Sequence, residues 1–127
     1  MVSAKKPVLL LVDDELVLLK LMSYEFQSSG FEVLTAENGT AAFEIVKEKK
    51  VDIILSDVRM NHGDGIDLLK KVRKRDPVNP PVILLTGYSD VTKNEALKMG
   101  AADYLQKPAK FDDLCQKVQE TLMKSKS

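Results

Sequence analysis

Five side chains scattered along this sequence could do chemistry together. Asp13 and Asp14 follow the apolar run Val8–Val12, and Asp57 closes the run that begins Ile53-Ile54-Leu55. Thr86 ends Val82–Leu85, and Lys107 follows Ala101–Leu105. Three carboxylates brought within a few ångströms repel one another; at ~4 Å and an effective dielectric near 20 each pair costs roughly 4 kcal/mol. Either protons or a cation must relieve that. A hard, oxygen-preferring divalent ion suits such a set, and Mg²⁺ is held by one or two carboxylates together with waters and phosphate oxygens. The single histidine, His62, and the single cysteine, Cys115, are far apart in sequence and argue against a zinc or soft-metal site. With an ion bound, Asp57 could attack phosphorus as a carboxylate nucleophile. The Lys107 ammonium and the Thr86 hydroxyl could then share the charge on the phosphoryl oxygens.

Those residues can meet only if the intervening chain places them on one rim. The apolar runs are nearly unbroken and rich in Val, Ile and Leu, as strands buried on both faces should be. Between them lie helical patterns. In 15–29, Leu16, Leu19, Met22 and Phe26 are spaced as an inward stripe that Leu18 and Leu21 widen, and Gly30 supplies the stop. After a second strand over 31–35, Asn38-Gly39-Thr40 offers a turn and cap for a helix with Ala42, Ile45 and Val46 inward. Gly63-Asp64-Gly65 opens a third helix (Ile66, Leu69, Val72), and Asp76 to Pro81 is a proline-stiffened connection. Gly87 to Asp90 turns into a fourth helix containing Val91, Ala96 and Leu97, and a last helix over 110–124 turns Leu114, Val118 and Leu122 inward. Five strand-then-helix repeats require parallel strands with right-handed crossovers, hence an α/β sheet with helices on both faces. All carboxyl ends of such a sheet share one edge, so four strands deliver the five residues to the same rim.

At 127 residues the chain is expected to form one domain over 1–127, with 1–6 and 124–127 frayed. Lysine plus arginine equals aspartate plus glutamate, 19 each, so no overall basic field points to direct nucleic-acid or anionic-membrane binding. The run Lys70 to Arg75 reads as a solvated helix end. One cysteine forbids an internal disulfide and fits a reducing cytoplasmic setting, and no apolar stretch is long enough for a membrane span or signal peptide.

Taken singly, each candidate has a plainer reading. Asp13 or Asp14 would cap the first helix, Thr86 would end a strand, Tyr104 would be core and Lys107 would be solvated. Their agreement across four strands favours a site. The chain also resembles the receiver domains of two-component response regulators, of the chemotaxis-regulator type, over essentially its whole length. The resemblance rests on Leu11-Val-Asp-Asp14, Leu55-Ser-Asp-Val-Arg-Met60, Asp64-Gly65, Leu84-Leu-Thr-Gly87, Gly100 to Leu105 and Lys107-Pro108, in that order and spacing. It implies a doubly wound, flavodoxin-like (βα)5 fold with strand order 2-1-3-4-5. It implies that Asp57 accepts a phosphoryl group from a histidine kinase or a histidine phosphotransfer protein. Asp13, Asp14, Asp57 and the backbone carbonyl of Arg59 would hold Mg²⁺, with Mn²⁺ as a substitute. Lys107, ahead of a cis bond to Pro108, would pair with the phosphoryl group, and Thr86 and Tyr104 would act as the switch. The surface of the fourth helix, fifth strand and fifth helix would then change shape, to be read by a downstream protein or output domain or to form a dimer.

The sequence departs from the family pattern at Asn61, where proline is commonest, at His62, where glycine is frequent, and at Ala109, where an aromatic residue is common. Asn61 and His62, together with Arg59 and Tyr88, which stand two positions beyond Asp57 and Thr86 and so nearest the reacting group, are the candidates for tuning phosphate lifetime, although His62 alone reads more simply as a solvated loop residue; packing around Ala109 is expected to be looser. On this reading the chain acts on itself and is not a turnover enzyme. The competing enzyme reading is a Mg²⁺-dependent phosphohydrolase with an aspartyl nucleophile, of the haloacid-dehalogenase type; that type needs a second aspartate where this chain has Arg59. A flavodoxin-type flavin carrier is disfavoured because Asp13-Asp14-Glu15 would repel a phosphate in the loop after the first strand. A receiver that has lost its chemistry is disfavoured by the intact Asp57, Thr86 and Lys107.

Overall fold

Strand and helix alternate without exception in the computed structural model, which describes residues 5–60, 64–87 and 91–125. The order is β1 (Val8–Val12), α1 (Leu16–Ser28), β2 (Glu32–Ala36), α2 (Gly39–Glu48), β3 (Ile53–Asp57), α3 (Gly65–Arg75), β4 (Val82–Thr86), α4 (Lys93–Lys98), β5 (Asp103–Gln106) and α5 (Phe111–Ser125). Every strand pair is parallel and the sheet runs β2-β1-β3-β4-β5. This is the parallel α/β sheet expected from the strand–helix alternation, in the doubly wound, flavodoxin-like order that the resemblance implies. The central strands β1, β3 and β4 read as continuous apolar runs because both of their faces are covered.

The two-residue period of the strands sorts the core into two layers. Leu10, Val12, Ile54, Val82 and Leu84 pack with Ala42 of α2, Ile66, Leu69 and Val72 of α3, and Ala96 of α4. Leu9, Leu11, Ile53, Leu55, Ile83 and Leu85 pack with Leu19 and Phe26 of α1 and with Leu114, Val118 and Leu122 of α5. Phe26 is the hub of that second layer, meeting Phe31 edge-on at 5.5 Å and Phe111 at 4.7 Å between ring centroids.

Three helices differ from the sequence expectation. In α1, Leu19 and Phe26 are buried, whereas Leu16 is 51% and Leu21 56% exposed. At 100° per residue Leu21 lies about 200° round from Leu19, on the far face with Val17 and Tyr24; Leu16 sits in the first turn at the rim of the sheet. Helix α4 is only six residues long: the reciprocal capping box of Thr92 and Glu95 sets its start, and Gly100, at φ +104°, follows its Met99 cap. Val91 therefore precedes the helix, and Leu97 is 40% exposed. Helix α5 continues to Ser125, into the stretch expected to fray.

The basic end of α3 also does more than sit in solvent. Arg73 donates from Nε to the Gly100 carbonyl (2.8 Å) and from Nη2 to the Pro80 carbonyl (2.8 Å), tying α3 to the α4–β5 turn and the α3–β4 loop. Burial lowers the Arg73 pKa, and neighbouring Asp76 opposes that. Asp76 in turn accepts the amides of Val78 (2.9 Å) and Asn79 (2.8 Å), which hold its carboxyl below the usual 3.8. A depressed folded-state pKa contributes stability that is present above the unfolded value and lost as pH falls through the folded value. Asp76→Ala is therefore expected to destabilise the chain at neutral pH and to differ less from the parent in acid, well below pH 3.8. Urea midpoints across that range check this, and a gap independent of pH would assign the effect to lost packing.

Candidate functional site at the carboxyl edge of the sheet

Strand register brings the candidate residues together. Val12 of β1 stands opposite Ser56 of β3, so the next residue on each, Asp13 and Asp57, emerges side by side. Asp57 is opposite Leu85 of β4, and Thr86 is opposite Gln106 of β5, which places Thr86 and Lys107 one step further along the same rim. Backbone bonds hold these ends: Asp13 donates to the Ala36 carbonyl (3.1 Å), Val58 to Leu85 (3.1 Å) and Lys107 to Thr86 (2.8 Å). The Lys107–Pro108 bond is cis.

The carboxylates of Asp13, Asp14 and Asp57 each offer an oxygen within 4.8 Å of the others, and among the described residues this is the one acidic group placed to hold a metal ion. Asp13 is buried and divides its oxygens: Oδ1 accepts the Glu15 amide at 2.9 Å, and Oδ2 faces Lys107 Nζ at 3.4 Å. The Oδ1 contact is a local turn onto Glu15, which is itself the N-cap residue of α1 and makes no side-chain cap bond, so Asp13 does not cap the helix and the plainer reading fails for it. Lys107 Nζ donates to Asp57 Oδ2 at 3.1 Å. Asp14 is exposed at the mouth. An all-oxygen, half-buried anionic set of this kind fits a hard divalent cation, with no nitrogen or sulfur ligand to select a softer one.

The charges are mutually tuned. Burial pushes the Asp57 carboxyl above its usual 3.8; the ammonium of Lys107, with its hydrogen bond, opposes this, and Asp13 reinforces it. Burial alone would lower the Lys107 pKa, but Asp57 and Asp13 more than offset it and the ammonium is held above 10.5. Thr86 adds an unused donor. Its Oγ1 is buried without a hydrogen-bond partner, a state that costs roughly 1–3 kcal/mol and leaves the hydroxyl ready for an incoming oxygen.

Of the other sequence candidates, Arg59 is exposed and, with Asp14, Met60 and Asp64, lines a shallow mouth of about 370 Å³. Tyr104 is buried in the register row of Leu84 and Ser56, and its hydroxyl makes a short hydrogen bond to the Val91 carbonyl. Asn61, His62 and Tyr88 lie outside the described residues. Beside Lys107, Ala109 helps line an apolar groove of about 430 Å³ with Leu18, Met22, Leu85, Pro108 and Leu114, and packs half-buried against the α1–α5 layer of the core. A larger groove, about 740 Å³, lies between α1 and the β2–α2 turn and contains none of Asp13, Asp14 and Asp57. Two residues escaped the sequence reading. Ser56 Oγ donates to the Asp57 carbonyl at 2.8 Å, and Gly65 packs directly on that same carbonyl. Ser56 gives no sequence signal beyond its neighbour, whereas Gly65 belongs to the Asp64-Gly65 pair, which opens a helix and contributes to the family resemblance but carries no sequence signal of contact with Asp57.

Comparison with known proteins agrees with this geometry. The family model of the response regulator receiver domain matches residues 9–119. The transcriptional regulatory protein ZraR of Klebsiella oxytoca is 42% identical over 115 residues, covering 90% of this chain and 26% of that protein. The regulatory protein AtoC of Escherichia coli K12 is 41% identical over 115 residues, again 90% of this chain and 25% of its own length. The chain thus spans about a quarter of the length of these relatives. Among solved structures, the receiver domain of Francisella response regulator 1452 matches with a TM-score of 0.86 at 34% identity, over 94% of this chain and 99% of that one. TrrA of Thermotoga maritima, solved in complex with Mg²⁺ and BeF, matches with a TM-score of 0.81 at 31% identity, over 91% and 98%. With fold, rim chemistry and relatives in agreement, the chain belongs to the receiver-domain family of two-component response regulators.

Proposed function

We propose that this chain is a phosphorylation-driven signalling switch whose phosphoacceptor is Asp57. The observation that carries the reading is the meeting of the Asp57 carboxylate with Lys107 at 3.1 Å inside a group of three aspartates. An oxygen of Asp57 attacks the phosphorus of a phosphohistidine on a kinase or phosphotransfer protein. The P–N bond breaks, and the imidazole leaves with its electron pair and takes up a proton. Lys107 pairs with a phosphoryl oxygen and Thr86 donates its unused hydroxyl to another, so positive charge and a donor stand where negative charge builds. Asp13, Asp14, Asp57 and the Arg59 carbonyl would hold Mg²⁺, which when bound neutralises charge on the phosphoryl oxygens. Mn²⁺ shares that oxygen preference and is the second ion to try. Water attack later returns Asp57 and inorganic phosphate, so the chain turns over no separate substrate.

The readout is the surface of α4, β5 and α5. Asp103 of β5 pairs there with Lys93 just inside α4 (3.4 Å) and Lys117 of α5 (3.8 Å), and Tyr104 bonds to Val91 ahead of α4. A shift of Thr86 towards a phosphoryl group would disturb this edge, which a downstream protein, an output domain or a second copy could read. The longer relatives are transcriptional regulatory proteins, which favours an output domain acting on transcription. No described helix is long and apolar enough to cross a membrane, in keeping with a cytoplasmic switch. The phosphohydrolase alternative is opposed by Arg59, an exposed cation where a second catalytic aspartate would be needed.

Incubation with acetyl phosphate and Mg²⁺, read by intact mass, tests the reading. One acid-labile, hydroxylamine-sensitive phosphoryl group per chain is expected, and a chelator should prevent it. No adduct under these conditions would overturn the proposal; sustained release of phosphate from unrelated phosphomonoesters would favour the hydrolase.

A further inference from the structure

Strand β3 ends at Asp57, and the chain returns to start α3 at Gly65. The return is unusually close. A Cβ built on Gly65 would stand 2.3 Å from the Asp57 carbonyl oxygen, 3.1 Å from its carbon and 3.1 Å from the Val58 Cα. All three are backbone atoms of the central strand or its exit, which cannot swing aside as the tip of a side chain can. The Gly65 amide donates to the Val58 carbonyl at 2.8 Å, closing the loop that carries Arg59 and Met60. From the other side Ser56 Oγ donates to the Asp57 carbonyl at 2.8 Å. The peptide that bears Asp57 is thus clamped between a hydroxyl and the bare Cα of a glycine.

We propose that Gly65 is a positioning residue for the acidic rim: its missing side chain lets α3 close on the Asp57 peptide and so fixes the Asp57 carboxylate and the Arg59 backbone at the spacing that binds a divalent ion. The proposal rests on the metal-and-phosphoryl reading above. Its reason is steric. To reach the 3.4 Å at which ordinary contact begins, alanine at this position must push the Asp57 peptide or the first turn of α3 by about 1 Å. The Asp57 side chain branches from that peptide, so the shift reaches the carboxylate that faces Lys107 at 3.1 Å. Gly65 has no positive φ to explain its use, unlike Gly30 and Gly100; close approach is what the position demands.

Calorimetric Mg²⁺ titration of the parent, Gly65→Ala, Ser56→Ala and Gly100→Ala, each with its urea midpoint, tests this. Gly100→Ala is the control for lost stability, because its φ is +104° and its Cβ would meet Arg73, away from the rim. Gly65→Ala is expected to bind Mg²⁺ roughly 10–100-fold more weakly, as loss of a supporting contact does at metal sites. Ser56→Ala should weaken it by a smaller factor, and Gly100→Ala should lose stability with affinity unchanged. Parent-like affinity in Gly65→Ala, or an equal loss in Gly100→Ala, overturns the proposal. If Gly65→Ala does not fold, an unchanged affinity in Ser56→Ala overturns it. A parent that binds Mg²⁺ but takes no phosphoryl group from acetyl phosphate sinks the switch reading and leaves Gly65 in its role; a parent that does not bind Mg²⁺ sinks both.

Discussion

Asp57→Asn is expected to take up no phosphoryl group from acetyl phosphate and Mg²⁺ under conditions that fully label the parent. The amide has nearly the shape of the carboxylate, but its oxygen is a poor nucleophile and would form no stable acyl phosphate. Intact mass reads the loss directly, and an acid-labile adduct surviving the substitution would move the phosphoacceptor elsewhere. The same variant carries a second effect of opposite sign. Burial holds the Asp57 carboxyl above its usual 3.8 in the folded chain. Between 3.8 and that raised value the folded chain keeps a proton that the unfolded chain has released, so stability falls as pH rises through the window and stays lower above it. Asparagine never ionises and escapes that loss. In the presence of a chelator, Asp57→Asn should be more stable than the parent at neutral pH, and the advantage should shrink in acid below 3.8. A single substitution that abolishes phosphorylation while stabilising the fold separates a functional residue from a structural one, because loss of a structural residue would lower both.

That conflict between stability and chemistry is also why the site was legible in the sequence. A carboxylate ending the buried run Ile53 to Ser56 has no folding reason to be there. Parallel strands share one carboxyl edge, so Asp13, Asp57, Thr86 and Lys107 could be assigned to a single rim from order alone. Strand cores were legible for the same reason: β1, β3 and β4 are apolar on both faces. What stayed hidden depended on long-range partners or exact helix phase. Arg73 looked like part of a solvated basic run because its acceptors are carbonyls of Pro80 and Gly100, the latter 27 residues away. Leu21 looked inward because apolar residues surround it, although its helical phase faces out. The start of α4 was written in Thr92 and Glu95, a capping pair that the apolar pattern overshadowed. The cis bond at Asn79–Pro80 could not be read from the sequence, since only about 5–6% of X-Pro bonds in folded proteins are cis.

Lys107→Ala should expose how the rim divides its work between metal and ammonium. Phosphorylation by acetyl phosphate at saturating Mg²⁺ is expected to slow roughly 10²–10³-fold, the usual loss when one positioned donor to a developing oxyanion is removed. Stability should fall as well, by roughly 1–2 kcal/mol, because Asp57 and Asp13 lose a charged partner at 3.1 and 3.4 Å that is only partly screened. The Lys107 ammonium is held above 10.5; a raised pKa of this kind contributes fully below the unfolded value and is lost as pH rises through the folded one. Comparisons at neutral pH therefore read the whole effect. Mg²⁺ affinity should move the other way. An ammonium bonded to two of the three carboxylates competes with a divalent ion for the same oxygens and repels it. Without it the three aspartates should bind Mg²⁺ several-fold more tightly, and added Mg²⁺ should restore more stability to the variant than it confers on the parent. Slower chemistry beside tighter metal binding is the pattern expected if Lys107 serves the phosphoryl group. Metal affinity and rate falling together would show that Lys107 acts only by holding Asp57 in place.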